Sequence, residues 1–197
     1  MNPWFLRCYV LRVVRGRRNP AYYGLPDRLR QARRRSGIGM TAASTAIGSS
    51  TAAAYLIERR QSLPRINTVE RFAKFLGVSP SWLAYGEGEP DAVPSESTVA
   101  GLGQRLIQAR QAKGLSRQAL GQQAGLTGQT VANIEVHGMI PRVDTVEMLA
   151  KTLEVAPSWL AFGSALVICA PAGSHADETT DPRDTETDRA TGPSQHL

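Results

Sequence analysis

The sequence predicts an all-α protein made of two tandem domains, each of five short helices. Residues 25–86 and 102–163 align without a gap at an offset of 77, and 26 of the 62 aligned positions are identical. Apolar residues recur at helical spacing in both copies, and no segment shows the alternation of a credible strand. Glycines and prolines divide the copies into short segments. Each copy is therefore expected to be one small helical domain.

Local signals set the helix boundaries, and they are clearest in the second copy. Its first helix should stop at Gly114. Ser116 and Thr127 are the expected N-caps of the second and third helices, because their side-chain oxygens can accept from free backbone N–H groups. An apolar face beginning at Val143 predicts the fourth helix, and Pro157 marks the start of the fifth.

Composition divides the chain into five segments. They are a basic N-terminal arm, a first domain, a linker, a second domain and an acidic tail, at residues 1–24, 25–86, 87–101, 102–164 and 165–197. The arm is either amphipathic or an unstructured leader. The linker can span about 35–50 Å if extended. The polar tail is expected to be disordered, and residues 165–170 form a short apolar run that could extend a helix, add a strand or cover a partner.

The bulk properties exclude several classes of protein. The formal net charge is +6, and a basic body with an acidic tail is typical of proteins whose partners carry phosphate. The two cysteines, Cys8 and Cys169, lie outside both copies without metal-ligand spacing, so no metal site and no disulfide are expected. No apolar run approaches the length of about 20 residues that spans a membrane. These features predict a cytoplasmic protein.

Two short helices joined by a turn that contains Gly125 form the expected helix-turn-helix unit, and Gly48 has the equivalent place in the first copy. The surrounding pattern comprises Arg105-Leu106, Ala109-Arg110, 114–120, 124–127, Val131, 133–135, Pro141, Leu149-Ala150 and 158–163. This pattern resembles the Cro/C1-type (XRE) family of helix-turn-helix proteins from phages and bacteria. The resemblance covers about 62 residues per copy. It implies a compact helical domain that places its third helix in the major groove of double-stranded DNA.

The resemblance also implies roles for individual residues of the second copy. The base-contacting positions correspond to Arg117, Gln129 and Asn133, while Gly128 occupies a fourth such position without a side chain. Arginine can bind guanine in a bidentate way, and glutamine or asparagine can bind adenine in the same way. Contacts to the DNA backbone are expected from Thr127, Thr130 and Arg142.

The first copy keeps the frame but lacks these base-contacting groups. It has Met40, Thr51, Ala52 and Leu56 at the four positions. It carries instead a cluster of arginines, from which contacts to the DNA backbone are expected at Arg28, Arg34 and Arg35. The alternative is a decayed repeat that packs against the second copy or mediates dimerisation.

One pair of charged residues repeats in both copies, as Arg33 with Glu58 and as Arg110 with Glu135. The family pairs this arginine and this glutamate across the first and third helices. The resemblance therefore implies two structural ion pairs, with no catalytic role.

The expected function is that of a sequence-specific DNA-binding transcriptional regulator, of the repressor kind. An antitoxin or adaptor that uses the same fold to bind a protein is the alternative. No enzyme and no cofactor are expected, because the three histidines are scattered and no phosphate loop or catalytic triad is present. Two domains in one chain could imitate a repressor dimer, either head-to-tail or two-fold. Homodimerisation through residues 165–170 is a further open alternative.

Overall fold

The computed structural model describes residues 20–91 and 99–163. Within these ranges the chain forms ten α-helices, and its only β-type pairing is one isolated bridge. This confirms the predicted all-α fold with five helices in each copy. The expectations for most of the N-terminal arm, the middle of the linker, the apolar run at 165–170 and the acidic tail concern residues outside the described ranges.

The two copies have the same order of helices. Copy 1 contains α1 (Leu25–Arg35), α2 (Met40–Ala46), α3 (Ala53–Glu58), α4 (Ile66–Leu76) and α5 (Pro80–Tyr85). Copy 2 contains α6 (Leu102–Ala112), α7 (Arg117–Gln123), α8 (Gly128–Glu135), α9 (Val143–Leu153) and α10 (Pro157–Phe162). A short 3₁₀ turn precedes α1 and another precedes α6. Equivalent helices share their bounds at the offset of 77, except that α3 begins two residues later than α8.

Side-chain caps distinguish the central helices of the two copies. Ser116 Oγ accepts a hydrogen bond of 3.1 Å from the Ala119 amide at the start of α7. Thr127 Oγ1 accepts one of 3.1 Å from the Thr130 amide at the start of α8. Neither α2 nor α3 has such a cap. A cap of this kind stabilises a helix by about 1 kcal/mol, so α7 and α8 have better-defined beginnings.

Each copy buries the apolar face of its helices in a core. The buried side chains of copy 2 include Leu106, Leu120, Ile134, Leu149 and Leu160, all with at most 1% exposure. Copy 1 buries the equivalent set, one residue from each of its five helices: Leu29, Ala43, Ile57, Phe72 and Leu83. Burial of one such side chain contributes about 1.5–3 kcal/mol, which fixes the helices that carry the polar surface residues.

The copies also pack against each other, and their contacts are reciprocal. The Ile66 amide donates to the Pro141 carbonyl at 3.1 Å, and the Val143 amide donates to the Pro64 carbonyl at 3.2 Å. These four residues are two equivalent pairs at the offset of 77. The equivalent helices α5 and α10 also contact each other. When residue i of one copy contacts residue j of the other, and j of the first contacts i of the second, the two copies are related by a two-fold axis.

Two glutamates extend this pseudo-two-fold interface. Glu147 on α9 accepts hydrogen bonds of 2.7 and 3.0 Å from the amides of Ala21 and Tyr22, which precede α1. Its equivalent, Glu70 on α4, accepts one of 3.2 Å from the Val99 amide, which precedes α6. The structure therefore excludes a head-to-tail arrangement of the two copies, one of the two arrangements that the sequence left open.

Candidate nucleic-acid interface

Helices α7 and α8 cross closely, and a glycine at the crossing makes this possible. A Cβ atom on Gly121 would lie 2.6 Å from the carbonyl carbon of Thr127 and 2.7 Å from the Gly128 nitrogen. In the turn itself, Gly125 has φ +69°, a left-handed conformation that costs glycine little. The two helices are thus locked into one helix-turn-helix unit.

Helix α8 has one apolar face and one polar face. Val131 and Ile134 are buried in the core, with 0% and 1% exposure. On the opposite face Gln129 is exposed and Asn133 is partly exposed. Gln129 Nε2 donates to Asn133 Oδ1 at 2.8 Å. This bond holds the two amides together and leaves Gln129 Oε1 and Asn133 Nδ2 available to an external partner.

Helix α3, the equivalent of α8, lacks this polar face. Ser44 occupies the place of Gly121, is fully buried, and accepts a hydrogen bond of 2.9 Å from the Ala54 amide. The presence of this side chain accompanies the later start of α3, at Ala53. Ala52, the equivalent of Gln129, therefore precedes the helix. Copy 1 keeps the frame of the motif without its hydrogen-bonding surface.

Comparison with known families agrees with this geometry. A model described as "Helix-turn-helix" matches residues 106–160, and one described as "Helix-turn-helix domain" matches residues 25–84. The chain belongs to the Cro/C1-type helix-turn-helix family. It carries the family's domain twice and is a DNA-binding regulator of this type. No curated protein and no solved structure showed significant similarity to the chain.

In this helix-turn-helix protein, both domains contain the same nearly buried ion pair. Arg110 Nε lies 2.7 Å from Glu135 Oε1, and the exposed fractions of the two side chains are 11% and 0%. Arg33 and Glu58 form the same contact in copy 1, also at 2.7 Å. The Arg110 and Arg33 guanidiniums each donate a further bond of 2.8 Å to a backbone carbonyl. Both pairs connect the first helix of a copy to the end of its third.

Arg117 is held by the same carboxylate in copy 2. Its Nε lies 2.6 Å from Glu135 Oε2, while 47% of its side chain is exposed. The sequence suggested base contact for this residue, and the structure places it in an ion pair at the start of α7. A guanidinium has five N–H donors, so its terminal amino groups can still reach an external acceptor. The ion pair would then use the Nε donor of Arg117 and orient the side chain, and the other N–H donors would stay available.

Burial and hydrogen bonding act on Glu135 in opposite directions. Burial by itself would raise the pKa of the carboxyl group. The hydrogen bonds from Arg110 and Arg117, together with their charges, outweigh burial and lower the pKa below its ordinary value of 4.5. Glu135 is therefore ionised at neutral pH, and its charge balances the two arginines.

Gln118 is a candidate contact residue that sequence reasoning missed. It is exposed on α7, and its Oε1 lies 2.5 Å from the position where a Cβ on Gly128 would be. Its side chain therefore covers the start of α8, where the family's pattern has a side chain and this chain has glycine. The sequence signal that could have pointed to Gln118 was Gly128, a glycine where the family's pattern has a side chain. Without that side chain, a neighbouring residue can cover the start of α8.

The predicted backbone-contact residues of copy 2 lie near the ends of helices. Thr127 and Thr130 share a hydrogen bond of 2.9 Å between their hydroxyls at the start of α8. Arg142 immediately precedes α9, with 52% of its side chain exposed and Asp144 at 3.9 Å. These positions leave all three residues accessible from outside the domain.

The predicted backbone-contact residues of copy 1 differ in their surroundings. Arg28 donates to the carbonyls of Leu83 and Ala84 at 2.9 and 2.7 Å, so it ties α1 to α5 and is not a free surface cation. Arg105 makes the equivalent bonds in copy 2. Arg35 pairs with Asp91 at 2.6 Å on the surface. The Arg34 side chain is exposed and forms no hydrogen bond or ion pair with other described residues.

A cationic cleft lies beside Arg34 in copy 1. It has a volume of about 390 Å³ and is lined by Arg30, Arg33, Arg34, Met40, Glu58 and Arg59. Arg33 and Arg30 contact the Glu58 carboxylate at 2.7 and 3.4 Å, and Arg34 and Arg59 add further positive charge to the cleft. In copy 2 the position of Met40 is occupied by Arg117, whose side chain reaches the glutamate instead. The chemistry of this cleft suits a phosphate group.

Two further observations concern residues 20–91 and 99–163. No helix there is long and apolar enough to cross a membrane. No cluster of three or more histidine, cysteine, aspartate or glutamate side chains in these ranges could hold a metal ion.

Proposed function

We propose that this protein is a sequence-specific transcriptional repressor that reads the major groove with α8. The hydrogen-bonded pair of Gln129 and Asn133 on the outer face of this helix carries the proposal. Amides that are already ordered lose less side-chain entropy when they bind. Each has a donor or an acceptor left for the edge of a base. Gln118, next to the start of α8, and Arg117, at the start of α7, complete the proposed reading surface.

The first domain is proposed to hold the DNA backbone. Its third helix is short and offers alanine and leucine where copy 2 offers amides. Its cleft offers guanidinium groups, which bind phosphate without regard to sequence. Copy 1 would thereby add affinity, while copy 2 would add specificity.

Repression would result from occupancy of the promoter DNA by this protein. A protein bound at a promoter excludes other proteins from the DNA that it covers, and it needs no additional surface to do so. Domains of this family typically occur in regulators that have no enzymatic activity. The proposal accordingly assigns no catalytic residue to the chain and no cofactor.

Removal of either amide tests the proposal. Gln129→Ala and Asn133→Ala should each weaken binding to the preferred duplex by about 10- to 100-fold, which corresponds to about 1–3 kcal/mol. The preferred duplex would first be selected from a random pool with the full chain. Fluorescence anisotropy titrations at one fixed salt concentration would then give the affinities.

The matched control is the double variant Gln104→Ala/Gln108→Ala. These glutamines are exposed on α6 and have the same four-residue spacing as the reading pair. The control should bind like the parent chain. If Gln129→Ala and Asn133→Ala also bind like the parent, α8 does not read the duplex, and the antitoxin or adaptor function becomes the better explanation.

A second substitution tests the role of copy 1. Arg34→Gln should weaken binding to all duplexes by a similar factor and should reduce the slope of log affinity against log salt by about 1. Folding should be unaffected, because the Arg34 side chain is exposed and forms no hydrogen bond or ion pair within the described ranges. The control is Lys74→Gln, which removes one charge from the exposed face of α4. An equal salt slope for the two variants would contradict the proposed contact at Arg34.

A further inference from the structure

We propose that one chain acts as a built-in dimer with unequal halves and binds an asymmetric operator. In this arrangement copy 2 reads one half-site, and copy 1 holds the adjacent half through its backbone, whatever its sequence. The inference rests on the proposed DNA-reading role of α8. It adds the class of duplex, the number of chains on it and the direction in which the chain lies.

The reciprocal contacts between the copies support the built-in dimer. An interface with two-fold symmetry uses the same patch on both partners. Here both patches belong to one chain and face each other, at residues 64–66 and 141–143. Tyr85 adds a buried bond of 3.2 Å from its hydroxyl to the Val143 carbonyl. Because the patches are occupied internally, a second chain cannot use them to form the same dimer.

Two arginines mark the centre of the interface. Arg65 and Arg142 are equivalent residues and form the antiparallel bridge between the copies. Their neighbours exchange the backbone hydrogen bonds, so the arginines form a pair without such bonds, in which side chains lie close together on one side. Both are exposed. Arg65 Nη1 donates to the Ile140 carbonyl at 2.8 Å, and Arg142 Nε lies 3.9 Å from Asp144. Each guanidinium keeps further N–H donors for an anion, which would lower the repulsion between two like charges on opposite strands of the bridge.

These arginines also connect the centre of the interface to the two third helices. Each precedes the fourth helix of its copy and lies within eight residues of the end of the third, at Glu58 or at Glu135. The bridge between the copies therefore lies close in the chain to both third helices. The anion proposed for this place is a DNA phosphate. Two-fold related units of this kind bind half-sites about 34–36 Å apart on one duplex.

The chemistry of the two units is unequal, which makes the operator asymmetric. The unit of copy 2 presents the amides of Gln118, Gln129 and Asn133. The corresponding residues of copy 1 are Thr41, Ala52 and Leu56, none of which offers a bidentate amide. Only one half-site can then carry strong base preferences. A palindromic operator, the usual partner of a symmetric homodimer, is not expected.

The experiment has three parts, all with the full chain. Selection from a random pool should give base preferences confined to one half-site of about 4–6 base pairs. Native mass spectrometry should show one chain on each duplex. Scrambling the next helical turn on the side of copy 1 should leave affinity within about twofold of the original.

Truncation supplies the decisive comparison. Removing that same turn should weaken binding by at least about tenfold and reduce the salt slope, because phosphates are lost. The control removes an equal number of base pairs from the opposite end and should have little effect. The end that belongs to copy 1 is identified by cross-linking from Ser36→Cys, at an exposed position, in a chain that also carries Cys8→Ser and Cys169→Ser.

The outcomes separate the inference from the proposed function. An inverted repeat with two chains per duplex, or equal effects of truncation at the two ends, would overturn the built-in dimer and leave α8 as the reading helix. Selection that yields no base preference at all would overturn the proposed function together with the inference.

Discussion

Gly121→Ser is expected to destabilise the second domain by about 3 kcal/mol and to abolish sequence-specific binding. The added Cβ would lie within 2.8 Å of three backbone atoms of Thr127 and Gly128. Backbone cannot rotate aside as a side chain can, so α8 itself would have to move. Copy 1 has Ser44 in this place, and its third helix shows how the extra side chain is accommodated. Helix α3 begins two residues later than α8 when the copies are aligned.

The loss of binding follows from the same displacement. If α8 begins two residues later, Gln129 precedes the helix and no longer lies one turn from Asn133. The hydrogen bond of 2.8 Å that orders the two amides would then be lost. Urea unfolding followed by circular dichroism would measure stability, and titration of the selected duplex would measure binding.

The matched control is the same chemical change at the start of α2. Gly39→Ser replaces a glycine whose added Cβ would meet no atom within 4 Å and whose φ is −71°. Copy 2 has Ser116 in the equivalent place as an N-cap. Gly39→Ser should therefore be neutral or stabilise copy 1 by a few tenths of a kcal/mol, on the order given for a cap that replaces glycine. Equal stabilities of the two variants would contradict a tight crossing at Gly121.

Local signals in the sequence were sufficient to predict the helices. The caps at Ser116 and Thr127 and the left-handed glycines at 114 and 125 act on residues within one turn, so a single sequence reveals them. The pseudo-two-fold could not be predicted in this way. It depends on hydrogen bonds between backbone groups near residues 65 and 142. These residues are far apart in sequence, and backbone groups are the same in every residue type, so the side chains do not reveal the pairing. The repeat showed that two equivalent domains exist but not how they meet.

Prediction of side-chain exposure on α8 was correct because exposure follows helical periodicity, whereas contact of these side chains with DNA stays a prediction. Gln129 and Asn133 lie opposite the buried face of α8, as the spacing of Val131 and Ile134 requires. It was less complete for arginines, because a long side chain can reach several partners. Arg28 proved to be bound to backbone carbonyls within copy 1, and Arg117 to Glu135. Composition alone could not distinguish these arginines from Arg34.

Glu135→Gln is expected to lower the stability of copy 2 by about 3–5 kcal/mol, the range for a buried pair that loses one partner. Arg117 is 47% exposed and can recover water, but Arg110 is 11% exposed and would keep an uncompensated charge. The control is Glu154→Gln, the same change in a pair with Lys113 at 2.9 Å whose carboxylate is 65% exposed. An exposed pair contributes about 0–1 kcal/mol, so the control should be nearly neutral.

The pH dependence separates the lost ion pair from a simple packing defect. The pKa of Glu135 is lowered in the folded chain, so its contribution is fully present above the ordinary value of 4.5 and is lost as the pH falls through the folded pKa. The stability difference between the parent chain and Glu135→Gln should be constant from about pH 7 to pH 5 and should shrink at lower pH. A packing defect would persist at low pH. A difference that does not change on acidification, or an unchanged melting temperature at pH 7, would show that the carboxylate does not stabilise the domain through its charge.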